Sequence, residues 1–345
     1  MRYIKNKFGS GNIFSIDDVD SKIYVECTAC MSVWSDFLSW ANFGNNKNLL
    51  TKNVNEARSI VVLGCQVTDL AILNDLKKAE ELHNINPTNL YMGGCLAKRF
   101  DIELPDYIKR LDVVREEYVN IKDTSCITYA KPFWVTEEIN KENEYAQGNL
   151  FRDMYPLKIG AGCNRNCKYC TIRDTRGTSY STSAQLQEKE FLSHDNVVLI
   201  SDNPLPEQIK EWCAISIKNN KPISFRNVEP SNAVICKKEL IELSSLGLLK
   251  IFHCPIQSND IYILRKMGRD AEATEEYLQF SQLLRKNGTK VATNIIIDYE
   301  IDGETYHNMN EDWLNTYFDY WVWNPYFNGN WDYENAVKKF NKYIK

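Results

Sequence analysis

The chain has 345 residues, 43% of them apolar and 25% charged, which is enough for two domains with separate cores and excludes a disordered chain. Lysine and arginine number 41 against 46 aspartates and glutamates; the resulting net charge of −5 is opposite to the footprint of a general nucleic-acid binder, though Lys98, Arg99, Arg173 and Arg176 could form a local basic groove. No apolar run is long enough to cross a bilayer, and Met1-Arg2-Tyr3-Ile4-Lys5-Asn6-Lys7 lacks the apolar core of a signal peptide, so the expectation is a cytoplasmic protein with no membrane association.

In chain order, residues 22–25 read as a short strand, 33–42 as a helix and 60–63 as an apolar strand. Residues 69–84 form an amphipathic helix in which Leu70, Leu73, Leu76 and Ala79 recur at helical spacing, and 90–92 form a third strand. This alternation predicts an α/β domain with a parallel sheet. Polar, charge-rich stretches at 115–123 and 137–148 place the domain boundary near 148, giving domains 1–148 and 149–345. Beyond it, strands are expected at 157–159, 197–200, 223–225, 250–252 and 291–297, with helices between them. The aromatic run 317–327 is expected to close the core of this second domain, with stacking on a nucleobase or holding an apolar peptide as the functional alternatives.

The eleven cysteines are an odd number, which argues against complete disulfide pairing, and in a cytosolic chain they point to metal clusters. Cys163-Asn164-Arg165-Asn166-Cys167-Lys168-Tyr169-Cys170 sets three thiols on one tight loop. Four ligands would close a zinc site, for which His194 or the distant Cys126 would have to be recruited; three leave one iron of a cubane open. The preceding Gly160-Ala161-Gly162 lets the backbone wrap such a group and lacks the ending of a phosphate loop. In the first domain Cys30, Cys65 and Cys95 each follow a strand, two of them directly after Gly64 and Gly94. The carboxyl ends of parallel strands lie on one edge, so these thiols are expected to converge there. Cys27 is the alternative to Cys30, and Cys213, Cys236 and Cys254 read as packed thiols.

The three-cysteine loop, with Tyr169 before its last cysteine, resembles the radical S-adenosylmethionine (SAM) superfamily. From about residue 22 to 320 the chain is similar, within that superfamily, to the methylthiotransferases of tRNA adenosine or a ribosomal protein. The likeness rests on Cys30 with Asp36, Val61-Val62-Leu63-Gly64-Cys65, Gly93-Gly94-Cys95-Leu96-Ala97 and Thr175-Arg176-Gly177. It continues through Phe225-Arg226-Asn227-Val228-Glu229-Pro230, His253-Cys254-Pro255-Ile256-Gln257-Ser258, Met267-Gly268-Arg269, Asn294-Ile295-Ile296-Ile297-Asp298 and Gly303-Glu304-Thr305. The resemblance implies a flavodoxin-like or Rossmann-like domain followed by a partial (β/α)6 TIM-like barrel. It also implies two 4Fe-4S clusters: one on Cys163, Cys167 and Cys170 that binds SAM, and an auxiliary one on Cys30, Cys65 and Cys95. Tyr169, Asn227, Glu229, Gln257 and Asn294 are the implied SAM contacts, and a flavodoxin or ferredoxin is the implied electron donor.

Two segments depart from the family pattern. Leu63-Gly64-Cys65 replaces Asn-Thr-Cys, and Glu300-Ile301-Asp302-Gly303-Glu304 replaces a segment with Phe-Pro-Gly-Glu. With few residues after Trp321-Val322-Trp323, the expectation is a family member without the C-terminal TRAM domain. The expected reaction is therefore transfer of sulfur or a methylthio group to a C-H carbon of a peptide, protein or small molecule. A tRNA adenosine acceptor, a radical SAM enzyme that inserts no sulfur, and a nonenzymatic Fe-S protein are the alternatives.

Overall fold

The computed structural model describes residues 1–19, 22–43, 46–113, 128–129, 150–151 and 154–343. The backbone divides into two compact units, one of Met1–Glu138, Asp174–Arg176 and Gly329–Lys345, the other of Ile139–Arg173 and Gly177–Asn328. The boundary expected near residue 148 lies outside the described residues, as does Cys126.

The first unit is built on seven strands: β1 (Arg2–Asn6), β2 (Gly9–Ser15), β3 (Ile23–Cys27), β4 (Ser59–Gly64), β5 (Asn89–Gly94), β6 (Ile108–Asp112) and β7 (Thr128–Tyr129). They lie in the order β1-β2-β6-β5-β4-β3-β7. Among the described residues only the β1–β2 hairpin of this sheet is antiparallel; β2 to β7 pair in parallel. Every residue of β4 is buried, the pattern of a parallel strand covered on both faces. Among the described residues, α-helices join β3 to β4 and β4 to β5. Helix α1 (Met31–Ala41) is buried along its whole length, so its Trp34, Phe37, Leu38 and Trp40 need no polar face. Helix α2 (Asp69–Ile85) starts where Thr68 accepts a hydrogen bond from the Ala71 N–H, a cap contributing about 1 kcal/mol.

The chain continues with β8 (Tyr155–Lys158), β9 (Gly160–Ala161), α3 (Ile172–Arg176, its last three residues grouped with the first unit), β10 (Tyr180–Ser181) and α4 (Ala184–Leu192). Next come β11 (Val197–Ile200), α5 (Pro206–Lys218), β12 (Ile223–Arg226), α6 (Pro230–Ile235), α7 (Lys237–Ser245) and β13 (Leu249–His253). Then follow α8 (Ile261–Lys266), α9 (Ala271–Lys286), β14 (Lys290–Ile297), β15 (Tyr299–Ile301), β16 (Glu304–Tyr306), α10 (Glu311–Tyr317) and β17 (Tyr320–Pro325). Six of these strands form one parallel sheet in the order β17-β14-β13-β12-β11-β8, each next to its sequence neighbour, which is the topology of a partial (β/α)6 barrel. The aromatic run supplies the sixth strand: Trp321 is buried and its Nε1–H donates to Asn315 Oδ1.

Helix α11 (Tyr333–Tyr343) returns to the first unit, although the sequence groups it with the second domain. Lys339 pairs with Asp69 at 2.7 Å and Lys77 lies 4.8 Å above the Phe340 ring, so α11 packs on α2.

Candidate functional site

In the second unit the cysteine loop leaves the sheet at the carboxyl end of β8. The β9–β10 pairing holds its first limb so tightly that a Cβ on Gly160 would come 2.4 Å from Tyr180 O. Gly162 adopts φ +76°, where a Cβ would meet Thr178 O at 2.2 Å, so only glycine lets the chain turn into Cys163. The loop is then pinned by backbone bonds from Cys163 N to Gly177 O, Lys168 N to Met267 O and Cys170 N to Cys167 O. The Cys163 Sγ accepts from the Arg165 N–H at 3.4 Å and the Asn203 Nδ2–H at 3.7 Å. Burial pushes the Cys163 thiol up and the Cys170 thiol up to about 12, each further raised by its neighbouring cysteines and partly relieved by hydrogen bonds. Thiols so placed ionise when a metal supplies the balancing charge.

Arg269 stands beside them with its side chain 5% exposed, its Nη2 donating to Pro255 O at 2.7 Å and lying 3.7 Å from Glu229 Oε1. Burial disfavours its charge, but Tyr169, Glu229 and Cys167 together hold the guanidinium firmly protonated. Its Nε is buried without a hydrogen-bond partner. A buried cation with a donor left over beside Cys167 and Cys170 is what an anionic thiolate-bound cluster needs, so these residues fit a 4Fe-4S group. Among the described residues no three Cys, His, Asp or Glu side chains converge on a point suited to one metal ion. A cluster takes each thiolate on its own iron and is served by a wider spacing. His194 stacks on Tyr155 with ring centroids 3.4 Å apart, at the opposite end of β8 from the cysteines.

Of the expected SAM contacts, Asn227 and Glu229 follow β12, Gln257 follows β13 and Asn294 lies within β14. Asn227, at φ +65° after β12, donates its N–H to His253 Nδ1 at 3.1 Å, and His253 Nε2–H donates to Asn294 Oδ1 at 3.0 Å. The imidazole is thereby held neutral; burial, followed by the Arg226 charge, lowers its pKa to about 3 against the Asn294 bond. Gln257 is fixed at φ +73° by backbone bonds to Asn294 and Ile296. Tyr169 packs against the apolar cluster of Ile263, Met267, Ile296, Tyr299 and Ile301. Glu229 already has structural employment: its Oε2 caps α6 through the Ser231 N–H, and its Oε1 lies 3.3 Å from Arg165. Sequence reasoning missed Asn203, Asp202, Arg165 and His253 as site residues. Asp202 Oδ2 accepts the Gly162 N–H at 2.8 Å, but nothing in Ser201-Asp202-Asn203-Pro204 marks that role before the strands are ordered.

In the first unit Cys30 caps α1 with its backbone, Cys65 follows β4 directly, and Cys95 follows β5. Because β3, β4 and β5 are adjacent and parallel, the three cysteines come from neighbouring carboxyl ends. Burial raises the Cys65 thiol well above its usual range, and Cys30, Asp75 and Cys95 face it and add to the rise. Cys27 instead ends β3 fully buried, with its Sγ–H directed to Ala29 O. Asp75 ties the loops together: its carboxylate accepts from Thr28 Oγ1 at 2.5 Å and from Cys65 N at 2.6 Å, and burial raises its pKa to about 8 against these bonds. Arg176 pairs with Asp36 at 2.7 Å with side chains 5% and 1% exposed, a buried ion pair rather than part of an open basic groove. Lys98 lies 3.6 Å from Asp112, and Arg99 is fully buried with Asp101 and Gly329 O as partners. Cys213, Cys236 and Cys254 are buried thiols.

The model of the Radical SAM superfamily matches residues 157–311. Residues 157–311 therefore carry a radical SAM domain. The chain's sequence relatives include the ribosomal protein uS12 methylthiotransferase RimO of Thermodesulfovibrio yellowstonii, 29% identical over 57% of this chain and 48% of that protein. Another is the tRNA-2-methylthio-N(6)-dimethylallyladenosine synthase of a Sulfurihydrogenibium species, 28% identical over 77% of this chain and 65% of that protein. The matched region thus spans between about half and two thirds of these relatives. Among solved structures, the radical SAM methyltransferase TsrM from Kitasatospora setae aligns with a TM-score of 0.48 at 9% identity, over 81% of this chain and 70% of that one. The radical SAM fold implies a 4Fe-4S cluster and SAM, and no helix among the described residues is long and apolar enough to cross a membrane.

Proposed function

We propose that this chain is a sulfur-inserting transferase, a radical SAM methylthiotransferase in which Cys163, Cys167 and Cys170 hold the SAM-binding cluster and Cys30, Cys65 and Cys95 an auxiliary one. When bound, the first group supplies the electron that cleaves SAM to a 5'-deoxyadenosyl radical for hydrogen abstraction, and the second supplies sulfur. The observation that carries the reading is the pairing of two three-cysteine sets, the second at three adjacent parallel strand ends. Arg269 balances negative charge at the first set, as Lys98 does near Cys95. His253 orients Asn227 and Asn294 for polar contacts to SAM, and Tyr169 offers its ring toward the adenine. The electron donor is of the flavodoxin or ferredoxin class.

The acceptor we favour is a peptide, protein or small molecule. Three of the four basic residues that could have lined an RNA groove, Lys98, Arg99 and Arg176, are engaged internally, and the net charge is −5. Reconstituted protein should carry about eight irons and eight sulfides, the count of two cubanes. Replacing Cys163, Cys167 and Cys170 by Ala should abolish 5'-deoxyadenosine formation; surviving SAM cleavage would defeat the reading. Replacing Cys30, Cys65 and Cys95 should halve the iron and stop sulfur transfer while leaving SAM cleavage. Mass spectrometry of RNA and peptides incubated with the enzyme, SAM and reductant tests the acceptor, and methylthioadenosine in tRNA would overturn our preference.

A further inference from the structure

The loop after β11 brings a side-chain amide to the first cysteine of the radical loop. Asn203 is 5% exposed and its Nδ2 lies 3.7 Å from Cys163 Sγ. An amide can present either its donor or its acceptor end, and the two have opposite effects on a sulfur. Here the choice is fixed from behind: Asn203 Oδ1 accepts the Asn232 Nδ2–H at 3.2 Å, and the same Nδ2 donates to Pro204 O at 2.9 Å. With its oxygen occupied, Asn203 can offer Cys163 only its N–H. The Arg165 backbone N–H adds a second donor at 3.4 Å to the same sulfur.

We infer that Asn203 is a positioning residue that sets the reduction potential of the group held by Cys163, an inference that rests on the cluster reading above. Donors to a ligand sulfur stabilise the form carrying more negative charge, and one-electron reduction adds that charge, so the Asn203 N–H favours the reduced state. Arg165 contributes its bond through the backbone, which no substitution other than proline removes. Asn203 is therefore the adjustable donor at this sulfur, and Asn232 is its lock.

The test is a reductive titration of the full reconstituted chain, following the electron paramagnetic resonance signal that changes on SAM addition. In Asn203→Leu, which keeps the volume and loses the donor, the reduced-to-oxidised ratio at a fixed ambient potential should fall about threefold, roughly 28 mV at 59 mV per tenfold for one electron. Asn203→Asp, which puts a carboxylate in place of the donor, should lower it further. Asn232→Ala, which frees the amide to turn, should fall between wild type and Asn203→Leu. A purely structural role would change iron content and leave the potential of the loaded fraction unmoved, and that result would overturn the inference. If Asn203→Leu loads too little iron to titrate, Asn232→Ala decides by the same criterion. The variant with Ala at Cys163, Cys167 and Cys170 separates the two claims. If it retains the SAM-responsive signal, the cluster reading fails; if it loses the signal while the Asn203 variants titrate like wild type, only the inference about Asn203 fails.

Discussion

His253 shows how one buried side chain can organise a strand-end site. Its two ring nitrogens are used in opposite senses, one accepting from Asn227 and the other donating to Asn294, an arrangement open only to the neutral ring. The folded state holds its pKa near 3, against about 6.5 for an unfolded histidine. Between those values the unfolded chain binds a proton that the folded chain refuses. The stability it contributes is therefore complete above about pH 6.5 and is lost as the pH falls toward 3, by up to about tenfold in the folding equilibrium per pH unit. Urea midpoints measured from pH 7 down to pH 4 should drop less steeply for His253→Gln than for the parent. Parallel pH profiles would show that the ring is not held neutral.

At the level of elements, the first unit converts strand order into proximity. Cys65 and Cys95 follow strands paired in register, with Gly64 opposite Gly94, and the glycines are there because the strand ends nearly touch. Gly94 sits at φ +73° and a Cβ on it would come 2.6 Å from Gly64 O, so Gly94→Ala must move backbone. On the proposed two-cluster reading it should cost the protein the auxiliary cluster's iron, about half of the total expected of two cubanes, with SAM cleavage retained. Gly288→Ala is the control, since Gly288 shares a left-handed φ of +91° but faces open space. That variant should show backbone strain in a lowered melting temperature and a full iron count. Equal iron loss in both variants would mean that strain alone, and not the Gly64–Gly94 approach, governs loading.

Over the whole molecule, the grouping of residues does not follow chain order. Asp174–Arg176 and Gly329–Lys345 both belong with the first unit, and Arg176 reaches Asp36 from 140 positions away in sequence. A buried pair of this kind contributes little net stability but is expensive to break from one side, because the remaining charge has lost its counter-ion. Arg176→Met alone should destabilise by about 3–5 kcal/mol, and Asp36→Leu with Arg176→Met should restore much of that. Urea unfolding of the single and double variants completes the cycle, and additive losses would show that the two side chains are not coupled.

Some of this is written in local order along the chain and some is not. The sequence by itself determined the strand and helix alternation, because apolar periodicity reports burial within a few residues. It also determined the radical loop, because three cysteines within eight residues are close however the rest folds. The family was legible for the same reason. What the tertiary structure decided involves partners separated by long stretches of chain. Cys30 rather than Cys27 faces Cys65, since Cys27 ends its strand inside the core. Asn203, His253, Arg269 and Asp75 gain their meaning from strand order, which no spacing encodes. Lys98, Arg99 and Arg176, possible contributors to a basic groove in sequence, are each paired in the fold, because charge can be counted along a chain but burial and pairing are set only when distant segments pack.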